Sequence, residues 1–211
     1  MHPYSNDSSR MRTVLLLLAV AAILLAWGLG RTLRSLDITP PWWLDTPAVV
    51  GIYGILWHLY DRLLWRLPIG GQTLSGIPDY NGTWAGWIHS SHDSAKPYAA
   101  RLTIRQTSSR VLIELRTEQS RSVSHMAMLC AGPGSEGLQY LYTNKPRHVP
   151  VLEPVEPRPD RPRGSLLAMT PHEGVSRLLL SKDRCTLEGD YQNDRHRQTY
   201  GTLSFSERVA P

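Results

Sequence analysis

Between Arg12 and Arg31 the chain runs for eighteen residues, Thr13 to Gly30, without a charge. At a helical rise this stretch spans about 27 Å, close to the hydrocarbon thickness of a bilayer. Leu15–Leu18 and Ile23–Leu25 are apolar on every side of a helix, so no face is left for solvent. The run therefore predicts a transmembrane helix over about residues 13–30. A cleaved signal peptide would share the basic start at Arg10 and Arg12, but no small-x-small cleavage site follows the apolar run.

A second helix is expected over about 46–62. Trp42 and Trp43 precede it, as at a membrane interface. Thr46 to Tyr60 is uncharged apart from His58, and Asp61 and Arg62 end it. The two helices make a transmembrane hairpin within residues 1–66. Arg10, Arg12, Arg62 and Arg66 lie on one side of it, and Arg31 and Arg34 on the other. This excess of cations places both termini, and whatever follows the hairpin, in the cytoplasm. Five of the seven Trp fall before residue 67, which marks a compositional boundary. Residues 67–79, with Gly70, Gly71 and Gly76, read as a flexible linker.

From Gly82 the period changes to two. Gly82, Trp84, Gly86 and Ile88 fall on one face of a strand, and Thr83, Ala85, Trp87 and His89 on the other. Trp84 between two glycines reads as the plug at one end of a small closed barrel. Strand-like runs follow at Tyr98–Ser108, Val111–Thr117, Ser122–Cys130, Leu138–Asn144, Val175–Leu180, Arg184–Gln192 and Thr199–Ser206. Short turns between them favour sequential hairpins. Residues 80–211 are thus expected to form an all-β, eight-stranded up-and-down, lipocalin-like barrel. A Pro-rich loop over 146–171 interrupts it. Such a barrel either fills with side chains or holds one small ligand.

Several polar residues fall on the inward register: Gln106, Ser122, Ser124, Tyr142, Asn144 and Tyr191. The same alternation puts Met126 and Met128 inward with Ser122 and Ser124. Buried polar groups need partners. These groups either bond one another or line one polar end of a cup. From Tyr80 onward 17 Lys+Arg face 13 Asp+Glu. This mild positive charge suits an anionic small ligand and is too weak for nucleic-acid binding. Cys130 and Cys185 read as buried thiols in a reducing compartment. No Gly-x-Ser-x-Gly, His-Glu-x-x-His or zinc-type cysteine spacing occurs, so neither an enzyme nor a metal or cofactor site is expected.

The order of motifs carries a family resemblance. It comprises Pro78-Asp-Tyr-Asn-Gly-Thr-Trp-x-Gly86, Ile104-x-Gln106, Ser120-Arg-Ser-Val-Ser124, Tyr140-x-Tyr142-x-Asn144, His172-x-Gly174, Leu187-x-Gly-x-Tyr191-x-Asn-x-Arg195 and Gly201-Thr202. With two preceding apolar segments, this resembles the two-transmembrane, β-strand-rich effectors of CBASS, the bacterial cyclic-oligonucleotide anti-phage systems. The resemblance implies a barrel in the cytoplasm, anchored in the inner membrane. It implies a cyclic di- or oligonucleotide ligand made by a CD-NTase, self-association, and disruption of the bilayer in abortive infection. On this reading Tyr142 and Tyr191 stack bases, Asn144 reads a base edge, Arg195 takes a phosphate and His172 completes the polar end. The alternative is a membrane-anchored, lipocalin-like carrier of a small apolar ligand. Gly82-x-Trp84 suits that family too, and Arg208 would then pack on the indole.

Overall fold

The computed structural model describes residues 1–6, 10–38, 41, 45–69, 72–130, 137–146, 171–195 and 198–209. The chain divides into a β unit (Met1–Asn6, Tyr80–Arg105, Arg110–Pro211) and a helical unit (Asp7–Asp79, Gln106–Ser109).

The β unit follows from the alternation that begins at Gly82. Its long strands are β1 (Gly82–Ser90), β2 (Asp93–Gln106), β3 (Arg110–Thr117), β4 (Ser120–Cys130), β5 (Gly137–Pro146), β6 (His172–Leu180), β7 (Leu187–Asn193) and β8 (Tyr200–Val209). Each pairs with its neighbours in sequence. β8 returns antiparallel to β1, and β3 pairs with β4, so the sheet closes into a barrel. The antiparallel meander sorts its connections. The turns after β1, β3, β5 and β7 lie at one end, and those after β2, β4 and β6 at the other.

The second end is packed with apolar side chains. Leu102, Ile104, Leu138, Leu178, Leu187, Leu203 and Phe205 are all buried there. Trp84 is 0% exposed, and its indole N–H donates to the Tyr80 carbonyl at 3.2 Å. Gly86 lets β8 approach, since a Cβ there would lie 2.0 Å from the Ser204 carbonyl oxygen and 2.6 Å from Phe205 Cα. Gly82 sits at φ 137°, a conformation that L side chains avoid. Arg208 is paired with Trp84 in register, but its side chain lies outside the described residues.

Three local features differ from the sequence expectation. A register shift between Ser124 and Met126 inserts one extra residue into β4. Ser122 and Ser124 stay inward, but beyond the bulge Ala127 and Leu129 are buried instead. Met126 and Met128 turn outward and are 58% and 44% exposed. β7 begins at Leu187, not Arg184. Residues 181–186 form a turn in which Ser181 Oγ accepts the Thr186 N–H and Asp183 accepts the Cys185 N–H. Cys185 is therefore exposed and Cys130 half-buried, against the expectation of two buried thiols.

The third concerns the N-terminus. His2–Pro3 pairs antiparallel with β3, and Ser5–Asn6 pairs parallel with β4. A short N-terminal strand thus fills the part of the seam where β3 and β4 do not pair with each other.

In the helical unit, α1 (Arg10–Ser35) and α2 (Asp45–Arg62) pack together and bury Ala22 and Tyr60. α1 extends beyond the expected 13–30. Among the described residues it is the one helix long and apolar enough to cross a membrane. Leu16, Leu17, Leu24 and Trp27 are exposed on it, a patch that a soluble protein would bury. α2 is shorter and carries Asp45, Asp61 and Arg62.

The expected flexible linker is instead folded over most of its described length. Thr73 Oγ1 donates to the Ile77 carbonyl at 2.6 Å, and Ser75 Oγ accepts the Ile77 N–H at 3.1 Å. Trp65, Ser75 and Ile77 are buried. The turn after β2 belongs to this unit as well. The Asp61 carboxylate accepts the Ser109 N–H at 2.8 Å, and Gln106 Nε2 donates to the Pro78 carbonyl at 3.3 Å.

Candidate functional site

Among the described residues the barrel is open at the end opposite Trp84. A cavity of about 310 Å³ lies among the inward residues of its strands. Its floor is apolar, where Ile88 and Leu203 meet, with Leu138 and Leu178 behind them. Above the floor, the pairing register stacks the polar residues in three rows.

The lowest row runs Tyr140, Ser176, Tyr191, Gly201, Ser90 across β5, β6, β7, β8 and β1. Burial pushes the Tyr140 phenol up to about 12, although a hydrogen bond with Ser176 opposes the rise. Ser176 Oγ also donates to the Asp190 carbonyl at 2.8 Å. The Tyr191 ring lies over Gly201, where a Cβ would stand 2.7 Å from Tyr191 Cε1.

The middle row runs Ser124, Tyr142, Gly174, Asn193. The Tyr142 hydroxyl donates to Asn193 Oδ1 at 2.7 Å, and Asn193 Nδ2 donates to Thr199 Oγ1 at 2.6 Å. Tyr140 and Tyr142 place their rings 5.9 Å apart, tilted by 49°.

The upper row runs Ser122, Asn144, His172. Ser122 Oγ donates to Asn144 Oδ1 at 3.1 Å, and Asn144 Nδ2 lies 3.3 Å from His172 Nε2. The Asn144 amide thus has a partner on each side, a hydroxyl on β4 and an imidazole on β6.

Tyr142, Asn144, His172 and Tyr191, singled out in the sequence, are thus brought together around one cavity. Arg195 is not among its lining. It sits exposed on the turn after β7, where Asp194 N donates to the Glu173 carbonyl, and that turn is at the open end. Gln106 is at the packed end. The loop expected over 146–171 lies outside the described residues except for Pro146 and Pro171. Sequence reasoning passed over Asn193, Ser176 and Tyr140 as site residues. Asn193 and Ser176 are both in phase with neighbours that were named, two residues after Tyr191 and Gly174.

Among the described residues no Arg or Lys lines the cavity, and no carboxylate does. Its chemistry is that of hydroxyls, amides, imidazoles and phenols over an apolar floor. Such a cup can hold planar rings and satisfy their edges. Among the described residues no three potential metal ligands cluster.

Fold and cup together define a β-barrel ligand-binding domain joined to membrane-type helices. Two family descriptions match in that same order: "Cap15, TM helices" over residues 12–66, and "Cap15, cyclic dinucleotide receptor domain" over residues 75–154. Together they cover more than half of the chain, which is similar to the Cap15 family in both parts. The family is one of CBASS-associated transmembrane effectors that sense a cyclic nucleotide, and the receptor match spans β1 to β5 of the barrel. CD-NTase-associated protein 15 from Yersinia aleksiciae is 28% identical over 156 residues, 74% of this chain and 67% of that protein. Tyr142 and Asn144 fall inside the receptor match; His172, Tyr191 and Arg195 lie beyond its end.

Proposed function

We propose that the cup binds a cyclic dinucleotide made by a CD-NTase on infection, and that binding drives copies of the chain to assemble and breach the inner membrane. The observation that carries this reading is the Asn144 amide, hydrogen-bonded on both sides at the rim beside the phenol rings of the cup. Tyr142 and Tyr191 stack bases, Asn144 and His172 read base edges, and Ser176 and Asn193 complete the polar wall. The cavity is at the small end of ligand pockets, which hold roughly 300–1,000 Å³. The bases therefore enter while the phosphodiesters stay at the mouth, where the turn carrying Arg195 supplies positive charge. An apolar cargo finds little room, because the apolar half of the lumen is filled by side chains.

The same sheet supports a reading with two membrane crossings. The N-terminal strand and β1–β8 share it, so the chain leaves and re-enters on one side of the bilayer. If α1 crosses, the chain must cross back before Tyr80, and α2 is the described helix in between. One hairpin offers no lumen, since its backbone is satisfied internally, so damage requires several copies. The ligand drives assembly by binding the assembled state better than the single copy.

Calorimetry of the full chain in detergent against a panel of cyclic di- and trinucleotides tests the binding, and leakage of liposomes holding the chain tests the outcome. Leakage equal with and without ligand rejects gating by the cup.

A further inference from the structure

We infer that the N-terminal strand is exchangeable, and that the seam between β3 and β4 is the surface through which one barrel accepts the strand of a second copy. This rests on the cup's reading as the sensor of an assembling protein and specifies the partner surface.

The seam is the weak line of the barrel. β3 and β4 pair with each other only from Glu114 to Arg116 against Arg121 to Val123. Other neighbouring strands, such as β4 and β5, pair along most of their length. Beyond Val123 the two edges are bridged by His2–Pro3 on β3 and Ser5–Asn6 on β4. The inserted strand matches the pleat: Pro3 and Ser5 are exposed, while His2, Tyr4 and Asn6 are half-buried. Its side-chain hold includes His2, whose Nε2 lies 2.8 Å from Ser124 Oγ, and that hydroxyl accepts the Ile113 N–H at 2.9 Å. Without the strand, two backbone edges stand open, which is a template for pairing with another chain.

The occupant is a second copy for two reasons. An identical strand fits the register and pleat that the first one vacates, as in domain swapping. Only three residues separate the end of the strand at Asn6 from Arg10, where α1 begins, so membrane anchoring keeps neighbouring strands at high effective concentration. The seam is wired to the cup as well. Ser124 is paired in register with Tyr142, whose ring lines the cavity. A ligand that moves Tyr142 therefore acts on the residue that His2 holds.

The test uses two full-length chains, each with Cys130→Ser and Cys185→Ser. One carries Ser5→Cys and the other Met128→Cys, residues that pair in register and are both exposed. In mixed liposomes the Ser5→Cys to Met128→Cys disulfide can form only between copies. Its yield should rise severalfold when a bound member of the cyclic di- and trinucleotide panel is added. A single chain carrying both cysteines, oxidised within itself, should bind that nucleotide unchanged yet lose ligand-driven leakage until a reductant is added. Ligand binding and leakage with no mixed disulfide, or full leakage from the locked chain, overturns strand exchange and leaves the cup's role standing. If no panel member binds the unmodified chain, the sensor reading fails and the exchange falls with it.

Discussion

The Tyr142 hydroxyl reaches Asn193 Oδ1 at 2.7 Å because nothing stands between them at Gly174. A Cβ at Gly174 would lie 2.5 Å from the hydroxyl oxygen and 2.8 Å from the acceptor. The glycine thus serves the bond beside it. Gly174→Ala should displace the phenol ring and break the bond at a cost of about 1–3 kcal/mol, the usual range for overpacking. Denaturant unfolding reads the stability, and nucleotide affinity should fall with it. Gly28→Ala in α1, where a Cβ meets nothing within 4 Å, is the matched control and should do neither.

Trp84 closes the other end. Trp84→Ala should destabilise the barrel by about 3–5 kcal/mol, as large aromatic truncations in a core do. The measurement belongs in the full chain, since a fragment starting at residue 78 would lack the N-terminal strand. A loss below about 1 kcal/mol would contradict the burial of the indole.

The seam has an acid limit. Glu114 on β3 accepts from Arg116 and from Arg121 on β4, the latter at 2.7 Å. Burial would raise the Glu114 carboxyl, but the two guanidinium hydrogen bonds outweigh it and hold the group below its ordinary 4.5. A carboxyl depressed on folding stabilises above its unfolded value and loses that contribution as pH falls through the folded one. The stability difference between wild type and Glu114→Gln should therefore be full at neutral pH and shrink below about pH 4.5. Both arginines are half exposed, so added salt should narrow it too. A difference that grows on acidification would contradict the assignment.

Topology gives a prediction of its own. A reporter active only in the periplasm should be silent when fused before Met1 or after Pro211, because both ends belong to one β unit. Placed in the connection between α1 and α2, it should be active. Signal from either terminal fusion would reverse the orientation drawn from Arg10, Arg12, Arg62 and Arg66.

What the sequence disclosed depended on periodicity. Trp84, Leu102, Leu138, Leu203 and Phe205 could be placed inward because the alternation holds up to each of them, and the register shifts at Ile88/Ser90 and Phe205/Glu207 come only after Trp84 and Phe205. The bulge at Ser124–Met126 could not be read. One extra residue reverses the phase, and no residue type announces it, so Met126 and Met128 were put on the wrong face. The N-terminal strand has too few residues to show a period, and its partners in β3 and β4 lie more than a hundred residues away. In the cup, Tyr142 and Asn144 were legible as a polar alternation. The cross-strand rows that join them to Asn193 and His172 needed the register, which depends on which strands meet. Arg195 shows the limit of motif reasoning: two turns of phase past Tyr191, it has already left the strand.

The last prediction separates the rim from the wall. Asn144 is held by Ser122 and His172, so Asn144→Ala removes one base-edge contact and releases two groups that had partners. Binding of the best cyclic nucleotide should weaken by about 1–3 kcal/mol, the cost of leaving buried polar groups unsatisfied. Because the lost contact is between an uncharged amide and a base edge, the loss should be nearly independent of salt. Arg195 is exposed at the mouth and acts through charge on a phosphodiester. Arg195→Ala should cost about 1.5–3 kcal/mol at low ionic strength, as for hydrogen bonds to charged groups, and progressively less as salt is added. The two variants do not share a partner, so their effects should add within about 0.5 kcal/mol in the double variant. Calorimetry at two salt concentrations reads all three. Should Arg195→Ala leave affinity unchanged at low salt, the phosphates are held elsewhere, and Asn144→Ala alone then carries the cup's assignment. Should both be silent while the nucleotide still binds, the ligand sits outside this cup.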